Sequence, residues 1–166
     1  MNNYAFEKAN LLQRLMRISA AWKPVSWFYA RTLHHIDRAV YKATKGRKTF
    51  AALVTGLPVC MLTTTGAKSG QPRTVPLLAI PERGNLIVIG SNYGQKDTPA
   101  WCANLRANPQ VTMAFEGKRL DMVATEVHGA ERDALYNRGI GIYPGWTVYK
   151  SRANRTIPVF RLTTTG

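Results

Sequence analysis

Apolar positions recur at helical spacing through residues 4–22, where Leu11, Leu12, Leu15, Met16 and Ile18 interleave with Lys8, Arg14 and Arg17. An amphipathic helix is expected there, broken by Pro24. A second stripe, Leu33, Ile36 and Val40, predicts a helix over 25–43, with Gly46 as its stop. The basic stretch Lys42, Lys45, Arg47 and Lys48 then leads into a short apolar segment, 50–57. From Pro58 the period shortens. Strands are expected over 59–64 and 75–80, flanking the loop GAKSGQPRT, and a third over 85–91 follows the turn Glu82-Arg83-Gly84. Thr98-Pro99 reads as a helix start, Thr98 as N-cap and Pro99 in the first turn, and Asn108-Pro109 as the end of that helix. Residues 111–115 and 120–127 pattern as a hairpin across Glu116-Gly117-Lys118. A helix over 129–140 has Glu131 and Asp133 early and Arg138 late, as the helix dipole favours. Residues 144–151 read as a loop or brief helix, and 155–162 as the last strand.

Five or six strands able to pair antiparallel, with helices before and between them, predict an α+β fold with a barrel-like sheet. The long β-α-β alternation of a doubly wound sheet is missing. Two units are expected: 1–57, a helical extension packed on the barrel or lying at a membrane surface, and 58–166, the barrel. The string LTTTG occurs at 62–66 and again at 162–166, and one short copy each makes no repeat architecture.

The chain has 166 residues, 45% of them hydrophobic, enough for one core. No apolar run reaches spanning length and the first ten residues lack a secretory pattern, so a cytoplasmic protein is expected. Cys60 and Cys102 are too few for a disulfide framework and are expected to be reduced and structural. His34, His35 and His128 share no ligand spacing with Cys, Asp or Glu, so no metal is expected; Asp97 reads as a helix-entry residue, and no GxSxG elbow occurs. The net charge of +14 favours an anionic partner, whether nucleic acid, anionic membrane or acidic small molecule. Ten Lys and Arg face only Glu7 and Asp37 in residues 1–58. Charge alone does not choose among these partners.

Residues 63–73, TTTGAKSGQPR, combine hydroxyls, two glycines that admit close backbone approach, and the cations Lys68 and Arg73. These are the parts of a phosphate cradle, though neither the Walker nor the GxGxxG pattern is met. An ordinary basic hairpin loop would have the same composition, and both readings stay open on these residues alone.

The stretch LTTTGAKSGQPRTVPL, followed in register by SNYG, TPAWCANLRANPQV and RTIPV, resembles the deazaflavin-dependent nitroreductase family across about residues 58–162. That resemblance implies a split β-barrel of the FMN-binding type and the reduced deazaflavin coenzyme F420. It implies that Thr65, Lys68, Ser69, Gly70, Gln71, Pro72 and Arg73 hold the coenzyme's phosphate and tail. Pro76 would flank the ring, with Ser91 and Asn92 beside it, while Pro99, Ala100, Trp101 and Asn104 close the site. An anion near 98–100 would also meet the free amides of a helix start. Ala67 and Asn92 depart from the basic residues of some relatives; Lys96 or the cations of 45–48 are the expected substitutes. The coenzyme's acidic tail would account for the charge without nucleic acid.

The aromatic cluster Tyr143, Trp146 and Tyr149 is the second candidate site. Such rings serve core or lid packing equally well. In the family this region lines the substrate pocket, with Trp146 in place of a tyrosine. The implied reaction passes hydride to an electron-poor acceptor such as a quinone, enone or nitroaromatic. Tyr143 or Tyr149 would supply or orient the proton and Ser91 would stabilise charge on the ring. The alternatives are the same barrel holding FMN, and a non-catalytic carrier of a cofactor or lipid. The basic N-terminal helices, with Trp22, Trp27, Phe28 and Tyr29 near the Pro24 break, also suit peripheral contact with an anionic membrane. The oligomeric state has no signature in the chain.

Overall fold

The computed structural model describes residues 4, 6–19, 22, 24, 25, 32, 36, 37, 39, 40, 43, 44 and 50–165, Lys8 by its backbone alone. The expected helix over 25–43, the cations of 45–48, the aromatics Trp27, Phe28 and Tyr29, and His34 and His35 lie wholly or largely outside those residues.

Six antiparallel strands form a closed barrel: β1 Val59–Thr65, β2 Pro72–Glu82, β3 Asn85–Ile89, β4 Gln110–Phe115, β5 Lys118–Val127 and β6 Val159–Thr164. Around the ring the order is β1-β2-β3-β6-β5-β4, and β4 returns to β1 through Met61 to Thr63 against Thr112 to Ala114. The α+β barrel expected from the alternation is therefore present. Strand β3 shows why the run LIVI in its sequence is apolar throughout. Leu86 and Val88 point into a cluster with Cys60, Leu62, Met113, Met122, Phe160 and Leu162. Ile87 and Ile89 point the other way, into a cluster with Tyr136, Tyr143, Trp146 and Tyr149. Both faces are buried, as period-two geometry requires of a strand walled on two sides.

Among the described residues the helices are α1 Leu11–Ser19, α2 Phe50–Thr55, α3 Ala100–Ala107, α4 Gly129–Ile140 and α5 Gly145–Ala153. Helix α3 seats Trp101, Cys102 and Leu105 in the first cluster, and α4 and α5 build the second. Both cysteines are free and buried.

Several expected boundaries move. The helix expected over 4–22 is a 3-10 turn, Phe6–Lys8, followed by α1. Asn10 starts α1 by a reciprocal cap: its Oδ1 accepts the Gln13 N–H at 2.8 Å, and Gln13 Oε1 accepts the Asn10 N–H at 3.2 Å. Within the apolar segment 50–57, Phe50–Thr55 fold as α2. Thr98 is not the N-cap of α3; Pro99 holds that position and no side chain caps it. Strand β2 starts earlier than expected, because Pro72 to Thr74 extend the hairpin opposite Thr65 to Thr63. Strand β6 starts at Val159 rather than 155, after Asn154 ends α5 in the left-handed region.

Candidate active site

Strand register places Thr64 opposite Arg73 and Thr65 opposite Pro72, so residues 66–71 form the tip of the β1–β2 hairpin. Gly70 takes a left-handed φ of 64°, and its N–H donates to Gly66 O at 2.8 Å. Gln71 donates its N–H to Ser69 Oγ at 3.3 Å, while Gly66 donates to Gln71 O at 2.9 Å. Among the described residues no hydrogen bond occupies the N–H groups of Lys68 and Ser69. The side chains of Lys68, Ser69, Gln71, Pro72 and Arg73 are all exposed. The tip is thus a folded turn with two available amides and two cations, which suits an anion.

Asn104 fixes this tip to α3. It is buried, its Oδ1 accepts the Ala67 N–H at 3.0 Å, and its Nδ2 donates to Thr64 Oγ1 at 2.9 Å. Thr64 Oγ1 in turn donates to Arg73 O at 3.3 Å. The amide of Asn104 is therefore spent on holding the loop.

One turn earlier on the same helix, Trp101 enters the wall of a cavity of about 500 Å³. The cavity brings together Pro76, Ser91, Asn92, Pro99, Trp101, Tyr143, Trp146 and Tyr149, eight residues singled out in the sequence. The hairpin residues 65–73, with Ala100 and Asn104, do not line it. They form a second group, joined to the first along β2 and α3. Lys96 stands exposed beyond the cavity.

The aromatic wall is closely ordered. Tyr143 and Tyr149 share a hydroxyl–hydroxyl hydrogen bond of 2.8 Å, and Trp146 Nε1 donates to Ser91 Oγ at 3.2 Å. Tyr143 meets the Trp146 ring edge-on at 5.6 Å between centroids. A Cβ on Gly139 would come within 2.6 Å of that indole, so only glycine lets α4 approach it. Burial first, then the neighbouring Tyr143, drives the Tyr149 phenol far above its ordinary pKa, so it stays protonated.

Ser91 and Asn92 sit on a strained turn. Asn92, Tyr93 and Gly94 have φ of 48°, 54° and 75° in succession. Left-handed non-glycine residues cost about 1–3 kcal/mol each and persist only where neighbours hold them. Arg155 does so here. Its guanidinium donates to the carbonyls of Gly90, Ser91 and Asp97 at 3.1–3.3 Å and to Gln95 at 3.4 Å. Asn92 Nδ2 adds a bond to Asp97 O at 2.9 Å. Burial lowers the Arg155 pKa, and its Nη1 is buried with no partner among the described residues, as is Nη1 of Arg152.

Part of the lining comes from residues ahead of β1, which pattern reading had not assigned to any site. Arg17, Asp37, Phe50, Val54 and Leu57 all face the cavity. Arg17 is 2% exposed and wrapped in carbonyls, donating to Thr55, Gly56, Tyr4 and Ile142 at 2.9–3.3 Å. Its position inside a charged amphipathic stripe gave no signal of burial. Asp37 enters the sequence reading only in the charge balance of residues 1–58.

A polar, cationic tip leading into a mostly apolar, aromatic-walled cavity fits a planar ring carrying a phosphorylated arm. The family model for F420H(2)-dependent quinone reductase matches residues 33–164. The chain belongs to the F420H(2)-dependent quinone reductase family. An F420H(2)-dependent quinone reductase of Mycobacterium tuberculosis is 35% identical over 137 residues, covering 79% of this chain and 89% of that one. A solved F420-H2 dependent reductase is 38% identical with a TM-score of 0.59, covering 63% of this chain and 93% of that one. A solved domain-swapped dimer is 31% identical with a TM-score of 0.62, covering 84% and 99%. As a quinone reductase of this family the protein is an oxidoreductase. Its coenzyme is F420, and it transfers hydride from the reduced coenzyme to a quinone-type acceptor.

Proposed function

We propose that the coenzyme's ring occupies the cavity beside Pro76, Ser91, Asn92 and Trp101, with its phosphorylated arm on the tip 65–73. Lys68 and Arg73 would meet the arm's charge, and the amides of Lys68 and Ser69 its oxygens. When bound, the coenzyme supplies the hydride; the chain binds, orients and excludes water. Tyr143, Trp146 and Tyr149 line the acceptor's side and choose among quinones, enones and nitroaromatics by shape. The observation that carries this reading is Asn104, which locks the anion-binding tip to the helix whose first turn walls the cavity. Fluorescence titration with the deazaflavin, then with FMN, followed by a panel of acceptors, tests it. Binding of F420 without oxidation by any acceptor would leave only a carrier, and preference for FMN would overturn the assignment.

Contact with an anionic membrane from the cytoplasmic side is the second part of the reading. Leu11, Leu12, Leu15 and Ile18 on α1 are 57–75% exposed, and Trp22 is 72% exposed. An apolar stripe on a strongly basic segment suits the headgroup boundary of an anionic bilayer, where a lipid quinone resides. Among the described residues no helix is long and apolar enough to cross a membrane. Sedimentation with anionic vesicles should retain the protein and lose the Leu12→Asp/Leu15→Asp variant. Equal sedimentation of the two would refute the contact.

A further inference from the structure

Hydride alone does not finish the reduction of a quinone, since the oxygen that gains negative charge must also gain a proton. Helix α5 and the turn before it offer phenols for this, Tyr149 and Tyr143. Their hydroxyls are bonded to each other at 2.8 Å, and burial makes the Tyr149 proton harder still to release. A phenol so placed orients better than it donates.

The same cavity holds a different acid. Asp37 is 1% exposed and lines the cavity together with Arg17. No other carboxyl and no other cation lines it among the described residues. The Arg17 guanidinium is turned to the carbonyls of Tyr4, Thr55, Gly56 and Ile142. Among the described residues no ion pair includes Asp37. Its Oδ1 accepts the Ala51 N–H at 2.9 Å at the start of α2. Burying a carboxylate is costly and favours its protonated form. Burial raises the Asp37 pKa above the ordinary carboxyl value, against the opposing pull of the Ala51 and Phe50 amides.

We propose that Asp37 is the catalytic acid of the reaction, giving its proton to the reduced acceptor within this cavity. The proposal rests on the reading that the acceptor occupies this cavity. The acceptor gains two electrons with the hydride, and a carbonyl π pair moves onto oxygen. That oxygen bonds the proton as the Asp37 O–H bond breaks. The carboxylate left behind is held by the Ala51 and Phe50 amides until water returns a proton. The residues ahead of β1 thereby complete the active site rather than merely cover it.

The test uses the full chain with Asp37→Asn, which keeps an oxygen acceptor for the α2 amides, and with Asp37→Glu. Coenzyme affinity should stay within about twofold in both, since Asp37 faces the acceptor. In Asp37→Asn, kcat with a quinone should fall about 100-fold, the low end of general-acid effects. The wild-type decline of kcat with rising pH should vanish, and Asp37→Glu should recover part of both. Infrared spectra of the protein without coenzyme should show a protonated carboxyl at neutral pH that Asp37→Asn lacks. Wild-type kcat and pH profile in Asp37→Asn with normal coenzyme affinity would overturn the acid and leave the site standing. Failure of the wild type to bind F420 at all would instead overturn the site, and the acid with it. Absence of the carboxyl band from the wild type would refute the acid even if the variants did not fold.

Discussion

Replacing Asn104 by Ala isolates the link between the loop tip and the cavity. The substitution removes the bonds to Ala67 N–H at 3.0 Å and Thr64 Oγ1 at 2.9 Å. Ala67 is exposed, so its amide recovers water, and Thr64 keeps the Arg73 carbonyl. Each lost bond is then worth about 1 kcal/mol net, and the tip loses about 2 kcal/mol of attachment to α3. If the coenzyme must re-order the tip on binding, most of that appears in affinity, roughly 10- to 30-fold at 1.4 kcal/mol per decade. Deazaflavin fluorescence titration reads the affinity, and amide hydrogen exchange across 66–71 reads the loosening. Arg106→Ala is the control on the same helix. Its pair with Glu126 is partly exposed and worth at most about 1 kcal/mol, so coenzyme affinity should not move. Faster exchange at the tip with full coenzyme affinity would refute the reasoning, because the arm would then not depend on the tip's shape.

Three further outcomes are expected. Lys68→Ala should weaken coenzyme binding several-fold, increasingly so at low salt, while Lys118→Ala on the β4–β5 turn should not; equal titrations would count against the tip as the arm's seat. Trp146→Phe removes the Nε1–H bond to Ser91 Oγ and should cost about 1 kcal/mol of stability. It should also shift preference between a quinone and a nitroaromatic while coenzyme affinity stays within about twofold, as steady-state assays with each acceptor would show. Cys60 and Cys102 are fully buried, and burial pushes both thiols up to about 12, so they stay protonated well above neutral pH. Thiol reagents should label them only as fast as the protein unfolds, and rapid labelling of the native protein would contradict their burial.

The barrel was legible because its strands announce themselves locally: NLIVI is short, apolar and bounded by turns, and Glu116-Gly117-Lys118 divides two alternating runs. The loop 63–73 was legible as chemistry because glycines and cations cluster there. What periodicity could not show is long-range. Arg17 sits in a stripe of charges that reads as solvated, yet it is buried by carbonyls from four separate residues. The start of α1 was available in principle, since Asn10 and Gln13 have the spacing of a reciprocal cap. Strand β6 looked longer because Arg155 to Pro158 are bounded like a strand; Arg155 instead spends its guanidinium on the turn after β3. The cavity's two walls lie far apart in sequence, and only the fold shows that Asp37 and Tyr149 face one space.

The ring of six strands has a social consequence for the molecule. A sheet that closes on itself offers no unpaired backbone for a foreign strand to extend, so this barrel gives aggregation no template. A protein or membrane partner therefore cannot extend this sheet, and the uncovered leucines of α1 are where such company has most to gain.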